Sequence, residues 1–232
     1  MPQKSTEINA NNSNTKLPRL VLPGIYAFAP NRDTLGGTAY FIVDKSGNVL
    51  LDSPAWNENH QHFLTTHGGV RWWIFSHRGG IGKGVRQIQE TLKCEIILQE
   101  QEAYLLPEVK VSSFNEELAL SSDGNLIWTP GHSPGSSCLY LNKQDGVLFS
   151  GRHLLPESPE TIKPLLTAKT FHWWRQIKSV AKLRDRFSAD TLQYILPGAN
   201  TGYLRGKGYI DNAYEKLVAL DLAALKTCQQ TS

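Results

Sequence analysis

Two histidines stand in glycine-rich turns that directly follow apolar segments of the sequence. The two segments read Ser76-His77-Arg78-Gly79-Gly80-Ile81-Gly82 and Pro130-Gly131-His132-Ser133-Pro134-Gly135. Imidazole is the commonest metal ligand among side chains, but a zinc site usually needs at least three protein ligands. His77 and His132 therefore form a metal site only with a third ligand such as His153. The alternative, which we favour, is that both are hydrogen-bonded at the edge of a sheet.

A basic, glycine-rich segment follows His77 and offers a second kind of chemistry. It separates an apolar run from a predicted helix, where free backbone N–H groups and the helix dipole favour an anion. The pattern of a phosphate-binding loop fails, because His77 occupies its first glycine position and Gly84 its hydroxyl position. Arg78, Lys83 and Arg152 remain candidate anion-binding residues, and the alternative is that their charges face solvent.

The first half of the chain alternates strand and helix patterns that would position these turns. Residues 45–48 form a turn between two apolar runs, which indicates a β-hairpin. The continuous apolar run at 72–75 is typical of a buried strand. The predicted order is strand 38–43, strand 49–51, helix 56–67, strand 72–75, helix 85–92 and strand 94–98.

The second half predicts a meander followed by helices. Strands are expected at 125–129, 138–141 and 147–150, then a loop at 156–164, a helix at 171–187, a strand at 192–196 and a helix at 210–227. The loop contains three prolines and is a candidate lid. One face of the 171–187 helix would carry Trp174, Ile177, Ala181 and Arg184.

Five short signatures at predicted strand ends occur in a recognisable order. They are Leu50-Leu51-Asp52, the His77 turn, the His132 turn, Ser150-Gly151-Arg152 and Pro197-Gly198-Ala199. In this order and spacing the chain resembles the metallo-β-lactamase family across residues 24–225. The resemblance implies a mixed α/β fold, an αββα four-layer sandwich with the site at the common edge of its two sheets.

The resemblance also implies which residues stand where the family holds its two metal ions. Only His77 and His132 are retained as ligand types. The former ligand positions that now carry other residues are Gly79, Ile81, Gly82, Arg152 and Ala199. A guanidinium in place of the family's bridging carboxylate puts a permanent positive charge where a cation would sit. Asp52 is expected to be structural near the site, and an Asp52–Arg152 ion pair is the alternative role for the arginine.

Composition excludes several classes of partner and location. The net charge of +3, from 24 basic and 21 acidic residues, argues against nucleic acid and anionic membranes. The sequence lacks the apolar run of about 18 residues that a membrane-spanning helix needs. Three separate cysteines without a Cys-x-x-Cys pair favour the cytoplasm. Residues 1–16 are expected to be a disordered tail without a signal peptide's apolar core, and 17–232 a single domain.

The sequence thus predicts a degenerate metallo-β-lactamase-like protein without binuclear hydrolase activity. We expect no cofactor, and a vestigial cleft that binds a small anionic molecule or a partner. The alternative is a residual hydrolase of ester, thioester or lactone bonds that uses one zinc or iron ion, or no metal. Enzymatic activity, ligand identity and oligomeric state are left open by the sequence.

Overall fold

The computed structural model describes residues 16–228. The predicted tail at 1–16 therefore falls, except for its last residue, outside the described residues. Within the described part, none of the helices is both long and apolar enough to cross a lipid bilayer.

The first sheet has seven strands that follow one another in chain order. They are β1 (Arg19–Leu22), β2 (Ile25–Ala27), β3 (Tyr40–Ile42), β4 (Val49–Leu51), β5 (Trp72–Ile74), β6 (Glu95–Gln99) and β7 (Val111–Phe114). Strands β1 to β4 pair antiparallel, and β4 to β7 pair parallel. The helices α1 (Glu58–Thr66) and α2 (Val85–Leu92) connect β4 to β5 and β5 to β6. The predicted hairpin and both predicted helices are confirmed.

The second sheet has five strands. They are β8 (Glu117–Ala119), β9 (Gly124–Trp128), β10 (Ser137–Leu141), β11 (Val147–Gly151) and β14 (Tyr194–Pro197). Their order across the sheet is β14-β11-β10-β9-β8. Strands β9, β10 and β11 form the predicted antiparallel meander, and β14 joins β11 in parallel. The carboxyl ends of β11 and β14 therefore meet at the same edge.

Helices cover the outer face of each sheet. The remaining helices are α3 (Trp173–Arg186), α4 (Ala213–Val218) and α5 (Leu222–Thr227). One apolar cluster lies between the two sheets and contains Leu51 and Phe149. A second joins the first sheet to α1 and α2, and a third joins the second sheet to α3 and α4. The four layers are α, β, β and α, as the resemblance implied.

Strand β5 shows how the sequence specifies these layers. Trp72 and Ile74 pack into the cluster between the sheets, whereas Trp73 packs under the helices, because successive side chains of a strand point to opposite faces. A strand covered on both sides reads as a continuous apolar run. Each large apolar side chain buried in this way stabilises the fold by about 1.5–3 kcal/mol.

The structure corrects the predicted loop at 156–164. Strands β12 (Leu154–Pro156) and β13 (Ile162–Pro164) form a two-stranded antiparallel hairpin over this segment. Prolines are tolerated there because a two-stranded sheet consists only of edge strands. Ile162 is buried and anchors the hairpin, so the segment is a packed hairpin and not an irregular loop.

Two predictions about the late helices are also wrong. The buried face of α3 contains Trp173, Ile177, Val180 and Leu183, whereas Trp174 is exposed. The predicted helix at 210–227 is interrupted, because the Asp221 side chain accepts hydrogen bonds from the first turn of α5 and caps it.

Candidate functional site

Asp52, Ser76 and His77 form a hydrogen-bonded chain at the edge of the first sheet. Strands β4 and β5 are parallel, so the residues that follow them, Asp52 and Ser76, lie side by side. The Ser76 hydroxyl lies 2.8 Å from Asp52 Oδ2 and 2.9 Å from His77 Nδ1. When the hydroxyl donates to the carboxylate, Nδ1–H donates to the hydroxyl. His77 Nε2 is then an acceptor, and it has no partner within the described chain.

Burial controls the charges of this chain. It raises the pKa of Asp52 to about 6, against the opposing hydrogen bonds from Ser76 and the charge of Arg152. It also holds the pKa of His77 well below the usual value, and the charges of His132, Arg152 and Arg78 act in the same direction. His77 is therefore a neutral imidazole at pH 7.

His132 projects from the turn between β9 and β10 toward His77. The two ring centroids are 5.2 Å apart. Burial, with the charges of Arg152 and Arg78, lowers the pKa of His132 to about 4, and its Nδ1 atom is buried without a partner in the described residues. The preceding Gly131 has a φ of 145°, and a Cβ there would lie 2.3 Å from the Cα atom of Gln176. Only glycine lets this turn pack against α3.

Arg152 follows β11 and lies near both histidines. Its Nη2 atom donates to the carbonyls of Thr34 at 2.8 Å and Leu35 at 3.0 Å. Burial lowers its pKa, and the charge of Asp52 opposes this shift. No carboxylate of residues 16–228 forms an ion pair with Arg152, because Asp52 is bonded to Ser76 instead. The guanidinium charge is held in place but is not neutralised by direct pairing.

The remaining former ligand positions carry no side-chain donor. A Cβ at Gly79 would lie 2.9 Å from His77 Nε2, so this position is directly beside the histidine. Ile81 lines the adjoining cleft, and the N–H of Gly82 donates to Ser53 Oγ at 2.9 Å. Ala199 is buried just after β14, whose end is joined to β11 by a hydrogen bond from Gly198 to the carbonyl of Gly151.

These residues do not fit a metal centre. Within residues 16–228, no three or more His, Cys, Asp or Glu side chains come together so that they could hold a metal ion. His153 is buried, and burial together with the charge of His132 lowers its pKa to about 3. A cation at this edge would have two neutral imidazoles and would face the guanidinium of Arg152, which repels it.

A cleft of about 780 Å³ opens beside His132 and Arg152. Its lining residues are Leu35, Arg78, Gly79, Ile81, Leu105, His132, Ser133, Arg152, Leu165, Thr167, Ala168 and Lys169. This set includes three cationic side chains and no carboxylate. Arg78 donates to the buried carboxylate of Glu102 at 2.8 Å. Lys83 is absent from the lining and pairs with Asp33 at 3.1 Å, where it is largely exposed.

Unpartnered polar atoms concentrate around this cleft. Eight buried side-chain nitrogen or oxygen atoms in the described chain have no hydrogen-bond partner, and seven belong to six residues of this region. These residues are His77, Glu102, His132, Arg152, His153 and Gln176. A buried polar atom without a partner costs about 1–3 kcal/mol, and of these six residues His132 and Arg152 line the cleft.

Sequence reasoning missed several residues of this site. Lys169 and Leu165 lie in a connection without a motif, and Leu105 lies in a short 3-10 helix at Glu100–Leu105. Gln176 was assigned only to a helix, although its amide donates to the carbonyls of His153 and Leu165. We find no local pattern that would have identified these positions, because they meet only through the packing of the two sheets.

Two sheets packed face to face, covered by helices, with the site at their common edge, define the metallo-β-lactamase fold. The structure is similar to a metallo-β-lactamase family protein of Thermus thermophilus, with a TM-score of 0.64, 16% identity, and 89% of this chain and 81% of that chain covered. It is also similar to a metallo-β-lactamase of Pontibacter korlensis, with a TM-score of 0.64, 14% identity, and coverages of 91% and 99%.

An archaeal metallo-β-lactamase superfamily protein of Sulfolobus tokodaii matches with a TM-score of 0.58, 12% identity, and coverages of 90% and 88%. No protein-family model and no curated protein matches the chain. At these identities the likeness establishes the fold, and the chemistry of the site depends on the residues described above.

Proposed function

We propose that this chain is a binding protein without binuclear metal hydrolase activity, and that its cleft holds a small anion anchored by Arg152. The observation that carries the proposal is the charge of the cleft lining, with Arg78, Arg152 and Lys169 but no carboxylate. Of these, Arg152 stands where the resemblance implies a bridging carboxylate. An anion therefore takes the place of the metal ions.

The geometry of Arg152 supports this role. A guanidinium has five N–H donors in a planar fork, and the two hydrogen bonds that Arg152 donates to backbone carbonyls both start from Nη2. Nε is buried and has no partner in the described chain. A carboxylate or phosphate that accepts from Arg152 gains a charge-assisted hydrogen bond in a partly desolvated place, where such bonds are stronger than in water.

Titration with inorganic phosphate and with acetate, followed by calorimetry and thermal unfolding, tests the proposal. A ligand at about 100 times its Kd stabilises the folded state by about 2.7 kcal/mol, or roughly 5–10 °C for a chain of this size. We expect Arg152→Gln to weaken binding by more than about tenfold. Lys83→Gln is the matched control, because it removes an exposed cation outside the cleft lining. The absence of any wild-type response, or equal losses in both variants, would overturn the proposal.

A residual, metal-independent hydrolase is a second candidate, favoured by the chain from Asp52 through Ser76 to His77. In this role His77 Nε2 takes a proton from the water that attacks an ester, thioester or lactone. The low pKa of His77 makes it a weak base, and for this reason we favour binding. Hydrolysis of p-nitrophenyl acetate that resists chelators and is lost in His77→Gln, but not in the exposed His62→Gln control, would favour the enzyme instead.

We also propose that the protein acts in the cytoplasm. The proposal is supported by the three cysteines, which are all free, with Cys94 and Cys138 buried and Cys228 exposed. Free thiols are typical of a reducing compartment. Cell fractionation followed by detection of the protein tests this location, and recovery outside the cytoplasm would contradict it.

A further inference from the structure

The cleft that contains Arg152 is apolar over much of its wall. Leu35, Ile81, Leu105, Leu165 and Ala168 contribute to the lining, in addition to the three cationic side chains. These apolar residues come from four separate segments of the chain. Positive charge and apolar surface therefore share one cavity, which is a combination that neither an inorganic anion nor a purely apolar molecule matches.

Two large apolar side chains of this lining are exposed. Leu35 is 71% exposed and Leu105 is 36% exposed. Large apolar side chains grouped around a cavity are a sign of a binding site rather than of ordinary surface composition.

The volume of the cleft is also larger than a small anion requires. A water-sized group has a share of about 30 Å³, so an inorganic anion of five heavy atoms would fill roughly a fifth of the 780 Å³. A cavity of this size is in the range that holds ligands with an extended apolar body. The lining that borders this volume includes the apolar side chains of Leu105, Leu165 and Ile81.

We propose that the cleft binds an amphipathic acyl carboxylate, with its carboxylate on Arg152 and its apolar chain along Leu105, Leu165 and Ile81. This inference rests on the proposed function, because it uses the same anion site and adds the class of ligand. Burial of the chain against the wall gives affinity, and the guanidinium fixes which end enters.

Calorimetric titration with acetate, butanoate, hexanoate, octanoate and decanoate tests the inference on the full-length protein. Each methylene that becomes buried contributes about 0.8 kcal/mol, which is about a fourfold decrease in Kd. We expect Kd to fall steeply with chain length until the cavity is filled. Octanol, which has the chain without the charge, is expected to bind far more weakly than octanoate.

Two variants locate the effect on the wall. Leu105→Gln should reduce the dependence of Kd on chain length and should raise the Kd of octanoate more than the Kd of acetate. Val218→Gln, an exposed apolar residue of α4 outside the cleft lining, is the matched control and should change neither. The wild-type series decides the question by itself if the Leu105 variant does not fold.

The outcomes separate this inference from the proposed function. If acetate and phosphate bind but Kd does not change with chain length, the acyl ligand is refuted and the anion site stands. If octanol binds as tightly as octanoate, the acyl carboxylate is refuted, and the binding of acetate and phosphate alone decides the anion site. If neither acetate, phosphate nor any longer carboxylate binds, both are refuted.

Discussion

His153→Leu should change how the stability of the protein depends on pH. His153 is buried, and neither ring nitrogen has a partner within the described residues. Burial, with the charge of His132, lowers the pKa of the ring from 6.5 to about 3. Below pH 6.5 the unfolded chain therefore takes up a proton that the folded protein does not, and this favours unfolding.

The magnitude follows from the difference between these pKa values. At pH 5.0 the pH is about 1.5 units below the pKa of His153 in the unfolded chain. At 1.36 kcal/mol per unit, protonation of the unfolded state lowers the folding stability by about 2 kcal/mol. The same figure holds for any folded-state pKa below about 4. The part of the folding stability that depends on a neutral His153 is thus fully present above pH 6.5 and is lost as pH falls toward 3. Leucine has no such proton to bind, so the variant should gain about 2 kcal/mol relative to the parent between pH 7.5 and pH 5.0.

Urea unfolding at pH 7.5 and pH 5.0, followed by tryptophan fluorescence, measures this difference. Val180→Ala is the control, because Val180 is a fully buried, non-titrating residue of α3, and its cost should be equal at the two pH values. If the difference between His153→Leu and the parent is the same at both pH values, the ring is protonated in the folded protein. That result would refute the assignment of His153 to an unpartnered interior position.

Two further predictions concern the elements that shape the site. The pKa of Asp52 is raised to about 6 from 3.8. The contribution of this carboxyl group to folding stability is therefore fully present below pH 3.8 and is lost as pH rises through 6. Relative to the parent, Asp52→Asn should gain about 2 kcal/mol of unfolding free energy between pH 4 and pH 7. An unchanged difference would contradict it. Gly131→Ala should destabilise the protein by more than about 3 kcal/mol, because the added Cβ would overlap α3. The control Gly36→Ala also has a positive φ but open space around it, and it should cost only about 1 kcal/mol. Urea denaturation of the two variants measures the difference.

Local patterns were enough to predict most of the strands and helices, whereas the αββα arrangement was predicted from the resemblance. The continuous run at Trp72–Ile74 indicated a doubly covered strand, and the turns around His77 and His132 indicated where two strands end. Hydrophobic spacing was less reliable for α3, because Trp174 fits the apolar period although the helix turns Trp173 inward. Composition alone could not show that the proline-rich segment pairs with itself as β12 and β13.

The composition of the cleft wall could not be predicted from the sequence. Lys169, Leu105 and Leu165 come from connections with no distinctive pattern, and they meet only because the two sheets pack with their ends at a common edge. The change from carboxylate to Arg152 was visible in the sequence, because a resemblance fixed the expected residue. The partners of Arg152 were not, since neither the anion site nor the alternative pairing with Asp52 indicated its bonds to the carbonyls of Thr34 and Leu35.

Elemental analysis of the purified protein tests most directly whether this fold has exchanged its metal centre for an anion site. The protein should be produced in medium that contains zinc, iron and manganese and purified without chelators. With two neutral imidazoles facing Arg152, we expect far less than one metal ion per chain. A content of about one or more ions per chain, reduced by His77→Ala and by His132→Ala, would contradict the account.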